Sequence, residues 1–283
     1  MSEPTVYPGP KVIGICGGIA VGKSTFGKNF RNSATELWDQ DIVFEEEKVV
    51  QPLLSAYLKY PEQYGAHFQT VMGMAAAHRQ QRAQYLRDAH SPQRMILVER
   101  PLWENVTFAW ANVRFGSLTK EYYDTWYMEM IRAFHESHPD LLIYLHASDV
   151  VRAYRKGERD RTDENLYKDR YMNMLGDCYF DFVLKHAEKR KLLVLNWNQY
   201  GDMQRVTRLV ADVLNGKRKL PKVTRSELNS SGESSDEGAP LQMTACINGK
   251  LNYYQTHTTK TRRKAQDLIL EALARFEDVE ISS

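Results

Sequence analysis

Residues 15–30 read ICGGIAVGKSTFGKNF. Within them Gly17-x-x-x-x-Gly22-Lys23-Ser24 is the P-loop pattern, placed as that pattern requires, after the apolar run KVIGIC from Lys11 and before a segment of helical spacing. Successive backbone N–H groups and a helix N-terminus make a positive cradle there, a lysine reaches the β- and γ-phosphates, and a hydroxyl ligates Mg²⁺. Gly17, Gly18, Ala20, Gly22, Lys23, Ser24 and Thr25 are therefore expected to hold a nucleotide, with Ser24 on the metal. A bare strand-to-helix turn needs glycines but has no use for Lys23 and Ser24. The motif by itself leaves kinase, GTPase and motor open.

Further apolar runs follow at DIVF from Asp41, RMILVE from Arg94, LLIYLHA from Leu141 and KLLVLNW from Lys191, with helical spacing between them. These runs are continuously apolar rather than alternating, which is what a parallel sheet covered on both faces demands. The expected fold is therefore α/β, a three-layer sandwich of the P-loop NTPase type with five parallel strands and helices on both faces. Residues 1–215 make up this domain. Near Gly216 the character changes to the basic GKRKLPK and then to RSELNSSGESSDEGAP, whose residues have little to bury, so 216–240 reads as a linker. Beyond it, 241–283 reads as an appended β-hairpin and helix. Asn248-Gly249 stands between two β-prone runs, a type I′ turn signal, and Lys260 to Phe276 has amphipathic helical spacing.

The bulk numbers agree with a globular domain. The chain has 283 residues, 42% of them hydrophobic, enough for a sizeable core. Lys plus Arg is 38 against 36 for Asp plus Glu, a balance that argues against a dedicated nucleic-acid binder. Cys16, Cys178 and Cys246 are far apart, odd in number and not in metal-ligand spacing, which fits reduced thiols. No apolar run reaches membrane-helix length and MSEPTVYPGP has no signal or transit pattern. The expected location is the cytoplasm, or the mitochondrion where a presequence has been removed.

Phosphoryl transfer to a hydroxyl needs charge neutralisation, in-line positioning and a proton acceptor. A carboxylate at the C-terminal end of the strand beside the P-loop strand suits the last role, because ligands of open α/β sheets bind there. Glu45, Glu46 and Glu47 compete for it; counting from the strand end favours Glu45.

Four segments in order, VFEEEKVVQPLL, YLKYPEQYGAHFQ, VERPLWEN and RAYRKGERDRTDE, resemble the deoxyribonucleoside kinase family over about Lys11 to Leu214. Counting back from Gln51-Pro52, which resembles an Asn-Pro of bacterial members, favours Glu46 as the base. The resemblance implies that Arg100 contacts the transferred phosphoryl group and the 5′ oxygen, and that Glu99 helps hold Mg²⁺ beside the substrate. It implies further that Gln69 reads the base, and that Arg152, Arg155 and Arg159 belong to a lid over the phosphates, with Arg161 beside them and Gly157 as a flexible point. Glu164, in the same segment, is counted with the substrate contacts. The small residues of GMAAAH, Gly73 to His78, are expected to leave room for a planar base. ATP with Mg²⁺, a deoxynucleoside acceptor and a homodimer are the implied cofactors and partners.

The pattern also breaks. Positions that hold an Arg and an Asp at the base edge in many members are Ala76 and Asn105 here, and the Ser after Glu-Arg is Pro101. Leu58 stands at the position of the sugar-reading tyrosine, with Tyr57 and Tyr60 as substitutes. Loss of both charges avoids burying one unpaired; it fits a changed base preference and equally a decayed site. The second reading is therefore a non-catalytic homologue, like the family's accessory subunit of respiratory complex I, docking on a larger assembly. A third is a nucleoside monophosphate kinase of the thymidylate type.

Overall fold

The computed structural model describes residues 6–88, 95–134, 138–158, 169–188 and 192–220. Its strands are β1 (Val12–Gly17), β2 (Ile42–Glu45), β3 (Met95–Glu99), β4 (Leu141–His146) and β5 (Leu192–Asn196). They form one sheet in the order β2-β3-β1-β4-β5, with every pairing parallel. All five coincide with the apolar runs to within a residue or two. Every side chain of β1 and β3 is buried, because helices cover both faces and leave no position for a polar side chain on the solvent side.

On one face, α1 (Lys23–Trp38) and α8 (Met203–Leu214) bring Phe26, Phe30, Val206 and Val210 onto Ile13, Ile15, Ile143 and Leu193. On the other, α4 (Leu102–Phe115), α5 (Lys120–Phe134) and α7 (Asp169–Glu188) bring Trp110, Trp126, Leu175 and Tyr179 onto Leu142, Tyr144 and Val194. The remaining helices are α2 (Gln51–Lys59), α3 (Pro61–Asp88) and α6 (Asp149–Gly157). The chain moves from β1 toward the β2 edge and later crosses to β4 on the other side. This reversal places a crevice at the C-terminal ends of β1, β2 and β3, where Gly17, Glu45 and Glu99 end their strands.

The long helix α3 approaches its neighbours closely at its small residues. A Cβ on Gly65 would lie 2.3 Å from the main-chain oxygen of Ser117, and one on Gly73 would lie 2.2 Å from Trp126 Cζ2. Ala76 and Ala77 pack on Leu102. The small residues of GMAAAH are thus filled by α4 and α5 and line no base pocket, a correction to the sequence expectation; helix approach, not a ligand, is what requires their size. Gly65→Ala is expected to lower stability by about 1–3 kcal/mol, since backbone cannot yield as a side-chain tip can. A urea or thermal melt measures this, and an unchanged midpoint would refute the contact.

Among the described residues no helix is long and apolar enough to cross a membrane. After α8 the chain turns at Gly216, with φ +71°, and Leu220 still packs on the α1–α8 core. Most of the expected linker and all of the hairpin-helix appendage lie outside the described residues.

Candidate active site

The loop between β1 and α1 is shaped by its glycines. Gly17 has φ +145°, and a Cβ there would lie 2.8 Å from the main-chain oxygen of Leu145. Gly22 has φ +100° at the start of α1. Lys23 is 5% exposed, and its Nζ donates to the carbonyls of Gly17 and Gly18 at 2.9 and 3.0 Å. Burial, reinforced by the nearby Arg100 charge, pushes its ammonium down to about 8. Ala20, with φ +61°, joins Lys23 and Ser24 in the wall of a cavity at the strand ends. Thr25 is exposed and is not part of that wall.

Glu99 and Arg100, at the end of β3, also line the cavity. Ser24 Oγ donates to Glu99 Oε1 at 2.8 Å, and the Glu47 N–H donates to Glu99 Oε2 at 3.2 Å. Arg100 has φ +53°, a left-handed backbone that costs a non-glycine residue about 1–2 kcal/mol, and its N–H donates to the Ile15 carbonyl at 3.0 Å. That backbone directs the guanidinium into the site. Its Nε donates to Glu47 Oε2 at 2.8 Å and its Nη1 to Glu104 Oε1 at 3.2 Å and Tyr179 Oη at 3.0 Å, while its carbon lies 4.2 Å over the Phe108 ring. Burial alone would raise the Glu47 carboxyl, but the Arg100 and Lys23 charges override it and hold the group below its ordinary value.

The three competing glutamates separate cleanly. Glu45 pairs with Arg82 at 3.0 Å, Glu46 pairs with exposed Lys28 at 2.8 Å, and Glu47 alone of the three lines the cavity. Side chains of an extended segment alternate in direction, so a count that misses by one residue selects the opposite side. The counts that favour Glu46 and Glu45 are not matched by the geometry: Glu46 turns toward α1 and Glu45 is held by α3.

At the other end of the cavity Gln69 Nε2 donates to Asn105 Oδ1 at 2.7 Å, and Gln69 Oε1 accepts from Asn112 Nδ2 at 3.1 Å. Tyr57 lines the same end, donating to Asn112 Oδ1 at 2.6 Å and stacking on Phe68 with ring centroids 4.8 Å apart. Leu58 packs with Leu54 in the α2–α3 core and Tyr60 is 61% exposed, so Tyr57 is the tyrosine that reaches the site.

Of the arginine-rich segment, Arg152 and Arg155 are described and Arg159, Arg161 and Glu164 lie outside the described residues. Arg152 Nη1 lies 2.7 Å from where a Gly18 Cβ would be, which brings this guanidinium onto the loop, and Arg152 also pairs with Asp149. Arg155 Nη1 donates to the Val21 carbonyl at 2.8 Å and its guanidinium covers the Tyr200 ring.

These residues fit a triphosphate and its metal. Glycines leave the loop backbone open, Lys23 and Arg152 supply positive charge at its two sides, and the Ser24 hydroxyl beside the Glu99 carboxylate offers two oxygens to a hard cation. Among the described residues no group of three or more His, Cys, Asp or Glu side chains could hold a metal. A divalent ion here would share its coordination with phosphate and water oxygens, as Mg²⁺ does.

A family model for deoxynucleoside kinases matches residues 13–219, from the second residue of β1 to beyond α8. The chain belongs to the deoxynucleoside kinase family. Three solved structures of a deoxyadenosine kinase from M. mycoides, with bound dCTP, with the products dCMP and a flexible dCDP, and with bound dATP, share its fold. They are 21–22% identical, cover 72% of this chain and 99% of theirs, and superpose with TM-scores of 0.57–0.58. A search of curated proteins gives no match.

This deoxynucleoside kinase family member carries site residues that motif reading misses. Glu104 is fully buried; its Oε1 accepts from the Gly17 N–H at 2.9 Å, from Arg100 and from Tyr179 Oη. Burial raises its carboxyl against the opposing Arg100 and Lys23 charges. Arg100 precedes α4 on a left-handed backbone, so its spacing of four from Glu104 is not a helical pair and gave no helix-face signal. Tyr179, from α7, shares its one hydroxyl proton between Glu104 and the Gly17 carbonyl, 2.9 Å away, and has no local signal, nor has Asn112.

Proposed function

We propose that this protein transfers the γ-phosphoryl group of ATP to the 5′-hydroxyl of a deoxyribonucleoside. The observation that carries the reading is the convergence of Glu47, Glu99 and Arg100 on one cavity that also contains Lys23 and Ser24 and extends to Gln69. Glu47 accepts the hydroxyl proton: it is ionised at neutral pH, and its hydrogen bond from Arg100 fixes the carboxylate's orientation. Arg100 presents its charge where the transferred group would pass. Lys23 and the loop amides hold the donor's phosphates, and Arg152 and Arg155 close over them. Mg²⁺ held by Ser24 and Glu99 would neutralise charge between the β- and γ-phosphates. Tyr57 and Gln69 bound the sugar and base ends, and the family's deoxynucleotide-bound relatives favour such an acceptor.

Incubation with ATP, Mg²⁺ and a panel of deoxynucleosides should yield monophosphates. ATP binding without turnover would support the accessory-subunit reading instead, and turnover confined to monophosphate acceptors the thymidylate-kinase type. A pH profile adds an independent check. Lys23 is charged below about 8 in the free protein and neutral above it, so kcat/KM for nucleotide should fall as pH rises through that value. The acid limb should lie below the ordinary carboxylate range, because the Glu47 carboxyl is held down. A profile flat from pH 7 to 10 would contradict the Lys23 assignment.

A further inference from the structure

A side-chain amide can face a ligand with either its oxygen or its nitrogen. What decides is which of those atoms the protein already engages. At the base end of the cavity the relay runs in one direction: Asn112 Nδ2 donates to Gln69 Oε1 at 3.1 Å, and Gln69 Nε2 donates to Asn105 Oδ1 at 2.7 Å. Behind them Tyr57 Oη and Ser117 Oγ donate to Asn112 Oδ1 at 2.6 and 3.2 Å. Gln69, Asn105 and Asn112 are only 1–2% exposed, so water cannot substitute for a lost partner.

Most of this chain could reverse as a unit, since hydroxyls and amides both donate and accept. One member cannot. Gln69 Nε2 also faces the main-chain carbonyl of Asn105 at 3.4 Å, and a carbonyl only accepts. Reversal would bring the Gln69 oxygen against that carbonyl oxygen, so the polarity shown is the stable one. The consequence falls on Asn105. Its Oδ1 is engaged by Gln69, and its Nδ2 donates to no other described residue, although Asn105 lines the cavity. The polar atom of this buried side chain that no described residue engages is Nδ2, an N–H donor. The carboxylates in the cavity wall, Glu47 and Glu99, are engaged by Arg100 and Ser24 at the phosphate end.

We infer that the base pocket selects deoxynucleosides whose base presents a carbonyl to Asn105 (uracil, thymine, hypoxanthine, guanine) over those that present an exocyclic amine (cytosine, adenine). This rests on the deoxynucleoside kinase reading above and adds to it the class of base. A carbonyl accepts from Asn105 Nδ2, whereas an amine in its place sets N–H against N–H and leaves a buried donor without a partner. Asn112, which is not part of the cavity wall, acts as a positioning residue that keeps Gln69 in this orientation.

The test compares matched pairs that differ chiefly at that edge: deoxyuridine against deoxycytidine, and deoxyinosine against deoxyadenosine. In the wild-type protein the carbonyl member of each pair should have the higher kcat/KM by about tenfold or more. Asn105→Asp replaces the donor with an acceptor and should reverse the ratio within each pair; its melting temperature is recorded beside wild type. Should that variant not fold, the wild-type ratios decide alone. Deoxycytidine or deoxyadenosine used as well as its partner, or better, overturns the inference while leaving the kinase reading intact. If nothing is phosphorylated, the kinase reading fails, and equilibrium binding of the same pairs decides the pocket: a carbonyl preference supports the inference, and equal affinity or no binding overturns it.

Discussion

Glu47→Gln is expected to lower kcat by about 10²–10⁴-fold, the range that a positioned general base contributes. The amide keeps nearly the same volume but cannot take the 5′-hydroxyl proton at neutral pH. Arg100 loses one of its two charged partners and retains Glu104, so some loss of stability is expected from the less compensated buried guanidinium. The assay is therefore read per folded molecule, with a melt and a nucleotide-binding measurement beside it. Glu46→Gln is the control: that side chain meets Lys28 at the surface and lies outside the cavity, and its variant should retain activity to within about twofold, since surface pairs contribute little. Loss of turnover in Glu46→Gln with full activity in Glu47→Gln would reverse the assignment.

Lys23→Ala should lower kcat/KM for the nucleotide by about 10²–10³-fold, as expected for removal of one preorganised charge from a phosphate site. Its effect on folding has the opposite sign to that of most buried truncations. A lysine whose ammonium is pushed from an ordinary value near 10.5 to about 8 costs stability at every pH below 8, a cost relieved only as pH rises between the two values. Removing the side chain removes that cost, so the melting temperature at pH 7 should stay level or rise while turnover collapses. Lys23→Arg should not restore activity, because the planar guanidinium does not match a site in which a compact ammonium bonds the Gly17 and Gly18 carbonyls. A large drop in melting temperature for Lys23→Ala would show that the lysine is structural.

The strands and the phosphate loop were legible in the chain because their signals are local. Continuous apolar runs mark a sheet buried on both faces, and a glycine-spaced loop ending in Lys-Ser needs only its flanking strand and helix. Glu99 and Arg100 were legible for the same reason, being attached directly to the end of β3. The choice among Glu45, Glu46 and Glu47 was not: alternation along the extended segment separates Glu46 from Glu47, but Glu45 and Glu47 fall on the same side, and Glu45 is drawn off by Arg82 of α3. The small residues of α3 were misread as room for a ligand because sequence shows their size but not Trp126 and Leu102, which fill the space.

Sequence alone determined the parallel α/β core, the phosphate loop and the positive segment after β4, since each follows from residues close together in the chain. Tertiary structure decided that Glu47 meets Arg100, that Glu104 and Tyr179 grip Gly17 from α4 and α7, and that Asn112 orients Gln69. Those contacts join residues 43 to 162 positions apart. No local pattern encodes such pairs; they exist only because helix packing on the sheet excludes water there and forces each buried polar group to find its partner inside the protein.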